Sequence, residues 1–139
     1  MDQITASLFV GTIADAGRDS HLRKENIATV VSLTHSEPDT GFPESVTVTR
    51  VPITDGPQHD RAQFEAAVDA VLAALDSGES VLVHCSRGAS RSPSVAATAL
   101  ALSRDVGIDR AFERVAENRV VTDPHDALVR QAVTVYRER

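Results

Sequence analysis

The chain has 139 residues, 42% of them apolar, and 20 acidic against 14 basic side chains, for a net charge of −6 at neutral pH. That length suits one domain with a proper core, so residues 1–139 are expected to form a single domain. The acidic balance argues against a general nucleic-acid binder, no apolar run is long enough to span a membrane, and one cysteine excludes an internal disulfide.

In chain order, Leu8-Phe9-Val10 reads as a short strand closed by Gly11, and residues 13–26 as a loosely helical stretch anchored by Leu22. Ile27 to Leu33 is a β-branched run suited to a buried strand. Thr34 to Pro43 carries two prolines and a glycine and reads as a loop. Val46 to Val51 alternates as a strand with one wet face does. After a second loop from Pro52 to His59, Asp60 is expected to cap a helix, with Gln63 completing a capping box. Phe64, Ala67, Val68, Val71 and Leu75 make its apolar face, and Gly78 ends it. Val81-Leu82-Val83 is a buried strand, and residues 91–104 form a buried helix. Ile108 to Asn118 is a further helix. The last helix is expected to start at Asp123 as cap, with Pro124 in its first position and Leu128, Ala132 and Val135 inward. Strands mixed with helices, then helices alone, make an α/β domain.

The chemistry is concentrated between the central strand and the buried helix, in Val81 to Leu102. A strand, a short loop of small, polar and basic residues and a helix start together form a site for anions. The first helix amides have no partner within the helix, and the helix dipole adds positive potential. Cys85 stands at the strand end, and Arg91 follows six positions later. A guanidinium grips phosphate oxygens in a planar, bidentate way. That charge and the helix amides favour the thiolate, a nucleophile. Ser92 can donate a hydrogen bond to the sulfur, and Gly88 permits backbone angles that other residues resist.

The stretch His84-Cys85-Ser86-Arg87-Gly88-Ala89-Ser90-Arg91-Ser92 resembles the signature of the cysteine-based protein phosphatases. It is closest to the dual-specificity branch, His-Cys-x-x-Gly-x-x-Arg-Ser/Thr, and every fixed position matches. The opening strand-helix-strand pattern is similar to that of the family, and so, more faintly, is Arg119-Val120-Val121 before the last helix. The resemblance implies a central, mostly parallel sheet of four or five strands flanked by helices. It implies hydrolysis of phosphotyrosine and/or phosphoserine and phosphothreonine in proteins through a phosphocysteine. It also implies that the amides of Ser86 to Arg91 face the phosphate and that His84 braces the loop. Arg87 either draws in anionic substrate or faces water.

A departing alkoxide or phenoxide needs a proton, which a carboxylic acid on a loop supplies and later recovers from water. The family places this aspartate in a loop upstream of the cysteine. Asp55, in Ile53-Thr54-Asp55-Gly56-Pro57, fits, 30 positions ahead of Cys85. Asp60 is the rival, but helix capping already accounts for it; His59 reads as an exposed loop histidine. No cofactor and no metal are expected, since no ligand cluster and no nucleotide-binding loop are visible. The partner is a phosphorylated protein, with no nucleic acid and no membrane, and the enzyme is expected to be a monomer. A reactive thiol and the lack of a secretion signal in MDQITASLFVGT point to a reducing cytoplasm. Lys24 is the only lysine, a composition compatible with a salt-adapted, for instance archaeal, source or with a GC-rich genome. The same loop also serves phosphoinositide and RNA 5′-phosphatases, and less aptly sulfur-transfer enzymes. Non-catalytic phosphate readers usually replace the cysteine, which this chain keeps.

Overall fold

A computed structural model describes residues 1–54 and 60–139. Among these, five strands form one sheet in the order β1-β2-β5-β3-β4: β1 Asp2–Gln3, β2 Leu8–Gly11, β3 Ile27–Ser32, β4 Thr47–Arg50 and β5 Ser80–His84. β2, β5, β3 and β4 run parallel, and only the short edge strand β1 is antiparallel. The helices are α1 Ile13–Ala16, α2 Asp19–Lys24, α3 Arg61–Asp76, α4 Arg91–Arg104, α5 Ile108–Asn118 and α6 Asp126–Arg137.

The alternation of side chains along each strand divides the core in two. Leu8 and Val10 of β2, Val31 of β3 and Val81 and Val83 of β5 pack with α3, α4, α5 and α6. Phe9, Val30 and Leu82, one position out of step, pack with Ala16 and Leu22 of α1 and α2 on the opposite face. Covered on both sides, the central strands read as apolar runs, as parallel sheets require. β5 lies in the middle, with Val83 paired to Val10 on one side and Val31 on the other. Its carboxyl end therefore opens where the ends of β2 and β3 also converge, the place where open α/β sheets bind ligands.

α4 is the helix that β5 feeds. Ser92 to Ala101 are all buried along it, mostly as alanines and other small residues that let it pack closely on the sheet and on α3, α5 and α6. Its buried hydroxyls are satisfied locally: Ser94 donates to the Ser90 carbonyl and Thr98 to the Ser94 carbonyl, each at 2.8 Å.

Four expectations need correction. The stretch 13–26 is two short helices, because Thr12 caps and closes a box with Asp15 and the chain turns again at Gly17. Asp60 does cap α3, but its carboxylate accepts from the Ala62 amide at 2.8 Å, and Gln63 donates to the Pro52 carbonyl instead of closing a capping box. On α3, Ala74 is buried and Leu75 only half-buried, because the helix face turns by one position near its end. The last helix begins at Asp126 rather than Pro124. Its cap is His125, whose Nδ1 accepts from the Ala127 amide at 3.1 Å, because Asp123 is held in an extended segment by another partner.

Candidate active site

The loop between β5 and α4 is held by its carbonyls. The Ser86 carbonyl accepts from the Ile13 amide at 3.3 Å and the Ala89 carbonyl from the Asp123 amide at 2.6 Å. Between them, the Arg87 and Gly88 carbonyls accept from Nη2 and Nε of Arg119 at 3.2 and 2.7 Å. In a trans peptide the C=O and the following N–H point in opposite directions, and the chain has no cis bond among the described residues. Four carbonyls turned outward therefore turn the amides of Arg87, Gly88, Ala89 and Ser90 inward. The result is a cup of N–H groups at the start of α4, the arrangement that binds a phosphate-like anion.

Gly88 is what allows the turn. Its φ is +65°, a conformation L side chains resist, and a Cβ there would lie 2.6 Å from the Gly11 carbonyl oxygen and run into the Arg119 guanidinium.

The cup opens into a cavity of about 400 Å³ lined by Cys85, Ser86, Arg87, Ala89, Ser90 and Arg91 on one side and Asp123 to Asp126 on the other. Cys85 lies at its floor, 2% exposed. Ser92 approaches the sulfur twice, through its hydroxyl at 3.2 Å and its amide at 3.4 Å. Arg91 begins α4, and its guanidinium is fixed by the Ile53 carbonyl at 3.0 Å and the Ser86 hydroxyl at 3.2 Å. The five donors of a guanidinium leave this side chain spare N–H groups for an incoming anion. Arg87 is exposed at the cavity wall.

His84 is wholly buried beside the nucleophile. Its Nδ1 lies 3.3 Å from the Cys85 carbonyl oxygen, which can only accept, so the proton sits on Nδ1. Nε2 has no hydrogen-bond partner among the described residues. Burial, opposed by the hydrogen bond to Cys85 and reinforced by the charges of Arg91 and Arg50, pushes the imidazole down to about 4. A neutral His84 is thus part of the fold. The unfolded chain takes up a proton near pH 6.5 and the folded one only near 4. The associated stability is present above pH 6.5 and is lost as pH falls from there through about 4; it amounts to roughly 3 kcal/mol. Denaturant titrations between pH 7 and 4.5 should show wild type losing stability faster than His84→Gln, whose neutral amide has no such proton to take up. Parallel pH profiles for the two proteins would contradict this.

Cys85, Ser92, Arg91, His84 and the loop Ser86 to Ser90 are thus gathered at one place. Asp55 and His59 lie outside the described residues. Asp60, the rival acid, caps α3, one carboxylate oxygen accepting from the Ala62 amide. Two features had no strong sequence signal. One is Arg119, 6% exposed, which reaches the Arg87, Gly88 and Val10 carbonyls and pairs with Asp2 at 3.0 Å. The other is the wall from Asp123 to Asp126, drawn against the loop by the Asp123 amide and by the His125 amide, which donates to the Ser90 hydroxyl at 2.9 Å.

Comparison with known proteins gives a consistent result. Residues 8–138 match the family described as "Dual specificity phosphatase, catalytic domain". Human dual specificity phosphatase 28 is 32% identical over 124 residues, covering 88% of this chain and 70% of the relative. Dual specificity protein phosphatase 1B of Arabidopsis thaliana is 27% identical over 134 residues, covering 94% and 78%. The crystal structure of human DUSP28 superposes with a TM-score of 0.89 at 29% identity, covering 99% of this chain and 96% of that one.

Proposed function

The chain belongs to the dual specificity phosphatase family, and on that premise we propose that Cys85, Arg91, Ser92 and Asp55 carry out its hydrolysis of phosphoproteins. The observation that carries this reading is the sulfur of Cys85 at the floor of the amide cup, within 3.2 Å of Ser92 Oγ and beside a guanidinium already aimed across the loop.

Each role follows from its chemistry. The Cys85 thiolate attacks phosphorus, forming an S–P bond as the P–O bond to the substrate breaks. The amides of the loop, with Arg91, hold the three non-bridging oxygens, whose charge they meet without reorganising. The leaving oxygen takes a proton from the Asp55 carboxyl. Water then attacks the phosphocysteine, gives its proton to Asp55 and releases phosphate, and the Ser92 hydroxyl stabilises the departing thiolate. His84, neutral and bonded to the Cys85 carbonyl, fixes the backbone at the nucleophile. Support for Asp55 comes from its neighbour Ile53, whose carbonyl receives Arg91.

The family match from residue 8 to residue 138 supports one catalytic domain over 1–139. No helix among the described residues is long and apolar enough to cross a membrane. The need for a reduced thiol supports a cytoplasmic setting, and a cavity whose described lining comes from one chain suits a monomeric enzyme.

Asp55→Asn tests the assignment of the acid. Its kcat should fall about 10²-fold or more on a phosphoserine peptide, whose alkoxide must be protonated as it leaves. The fall should be smaller on p-nitrophenyl phosphate, whose phenoxide departs with little help. An equal rate to wild type on both substrates would move the role to another residue.

A further inference from the structure

The wall of the cavity facing the phosphate loop carries the wrong charge for an anion site. Asp123 and Asp126 both line it, both are exposed, and neither carboxylate meets a cation or a donor among the described residues. Arg130, one turn after Asp126 on α6, makes no ion pair with it among the described residues, and the other cations around the two aspartates are committed or sit on the other wall. Arg119 is buried and paired with Asp2. Arg91 is tied to Ile53 and Ser86. Arg87 stands on the phosphate loop itself. His125, between the two aspartates, is occupied as the cap of α6, its Nδ1 accepting from the Ala127 amide. Two unneutralised carboxylates therefore border a pocket built for a dianion. Alone they weaken phosphate binding by like-charge repulsion. The repulsion turns into attraction when the substrate brings its own cation beside the phosphate.

We propose that Asp123 and Asp126 are specificity-determining residues that select phosphorylated sites flanked by Lys or Arg and disfavour sites flanked by acidic or second phosphorylated residues. This rests on the phosphatase reading of the cavity and names the substrate class within it. An exposed ion pair is worth a factor of about 2 to 5, so the two together give roughly a tenfold preference. Asp126 also lies in the first turn of α6, where a carboxylate complements the helix dipole. That role alone would alter stability and leave substrate choice untouched.

The test uses two phosphotyrosine peptides that differ only in flanking arginine or glutamate. Their kcat/KM values are measured with wild type, and their dissociation constants with Cys85→Ser, by fluorescence anisotropy. The arginine-flanked peptide should be favoured about tenfold in both measurements. The ratio should drop below about twofold in Asp123→Asn/Asp126→Asn, and likewise in about 1 M salt, where the Debye length is only about 3 Å. A wild-type ratio near one, or a ratio unchanged in the double variant, would overturn the proposal. Hydrolysis of p-nitrophenyl phosphate by wild type, run alongside, judges the phosphatase reading separately. If that reading failed, the binding ratio on Cys85→Ser would still decide the role of the rim.

Discussion

Cys85→Ser should lose turnover by about 10⁴-fold or more and yet keep its grip on phosphate. A serine hydroxyl attacks phosphorus only if a base removes its proton. The groups around Cys85 do not supply one. The Nδ1 proton of His84 points at the Cys85 carbonyl, its bare Nε2 makes no hydrogen bond to the sulfur, and the approaches to the sulfur among the described residues come from the Ser92 hydroxyl and amide. These are hydrogen-bond partners for a thiolate, which needs no base once ionised. The cup itself does not involve the sulfur, since its amides are aimed by the Ser86 to Ala89 carbonyls and their partners. Inorganic phosphate or vanadate should therefore still raise the melting temperature of the variant by binding linkage. Acid-quenched wild type exposed to labelled substrate should retain a phosphoenzyme that Cys85→Ser lacks. More than about 1% residual activity in a cysteine-free preparation would mean that another group performs the attack.

Legibility in the sequence followed locality. Cys85, Gly88 and Arg91 were readable because their chemistry is set within nine residues: a strand end, a positive-φ turn and a helix start. The buried strands β3 and β5 were readable from their uninterrupted apolar runs. The edge strand β1 was not, since Asp2 and Gln3 carry no strand signal and form one only because Val10 and Phe9 offer an open edge. The start of α6 was misplaced for a related reason. Asp-Pro is strong initiation chemistry on its own, but the Asp123 amide is taken by Ala89, in the phosphate loop, so the helix waits for His125. Arg119 shows the limit most clearly. An arginine at the end of an amphipathic helix looks solvated, and its partners lie more than thirty residues away in sequence, so only the fold reveals what it holds.

That burden makes Arg119 the second site where a single change should do most damage. Its side chain, 7% exposed, spans two successive carbonyls of the phosphate loop, reaches a third in β2 and pairs with Asp2. Arg119→Met would leave those carbonyls buried and unpaired, and removing one partner of a buried charged network costs about 3 to 5 kcal/mol. Arg119→Lys tests the geometry more gently. It keeps the charge but replaces a planar fork with a single point, which cannot hold Gly88 and Arg87 at once. The loop would then lose the constraint that turns its amides inward, and kcat/KM should fall about 10²-fold, with the loss largely in kcat because oriented donors matter most in the transition state. A purely structural role would lower the melting temperature alone. A positioning role also shrinks the extra melting-temperature rise that saturating phosphate gives the wild type. Asp2→Asn separates the ion pair from the carbonyl contacts: Asp2 is 45% exposed, so losing it should cost less than about 1 kcal/mol and leave the rate within a few-fold. Near-wild-type kcat and full phosphate stabilisation in Arg119→Lys would show that the loop holds its shape without the fork, and that its outward carbonyls are fixed by the Ile13 and Asp123 amides alone.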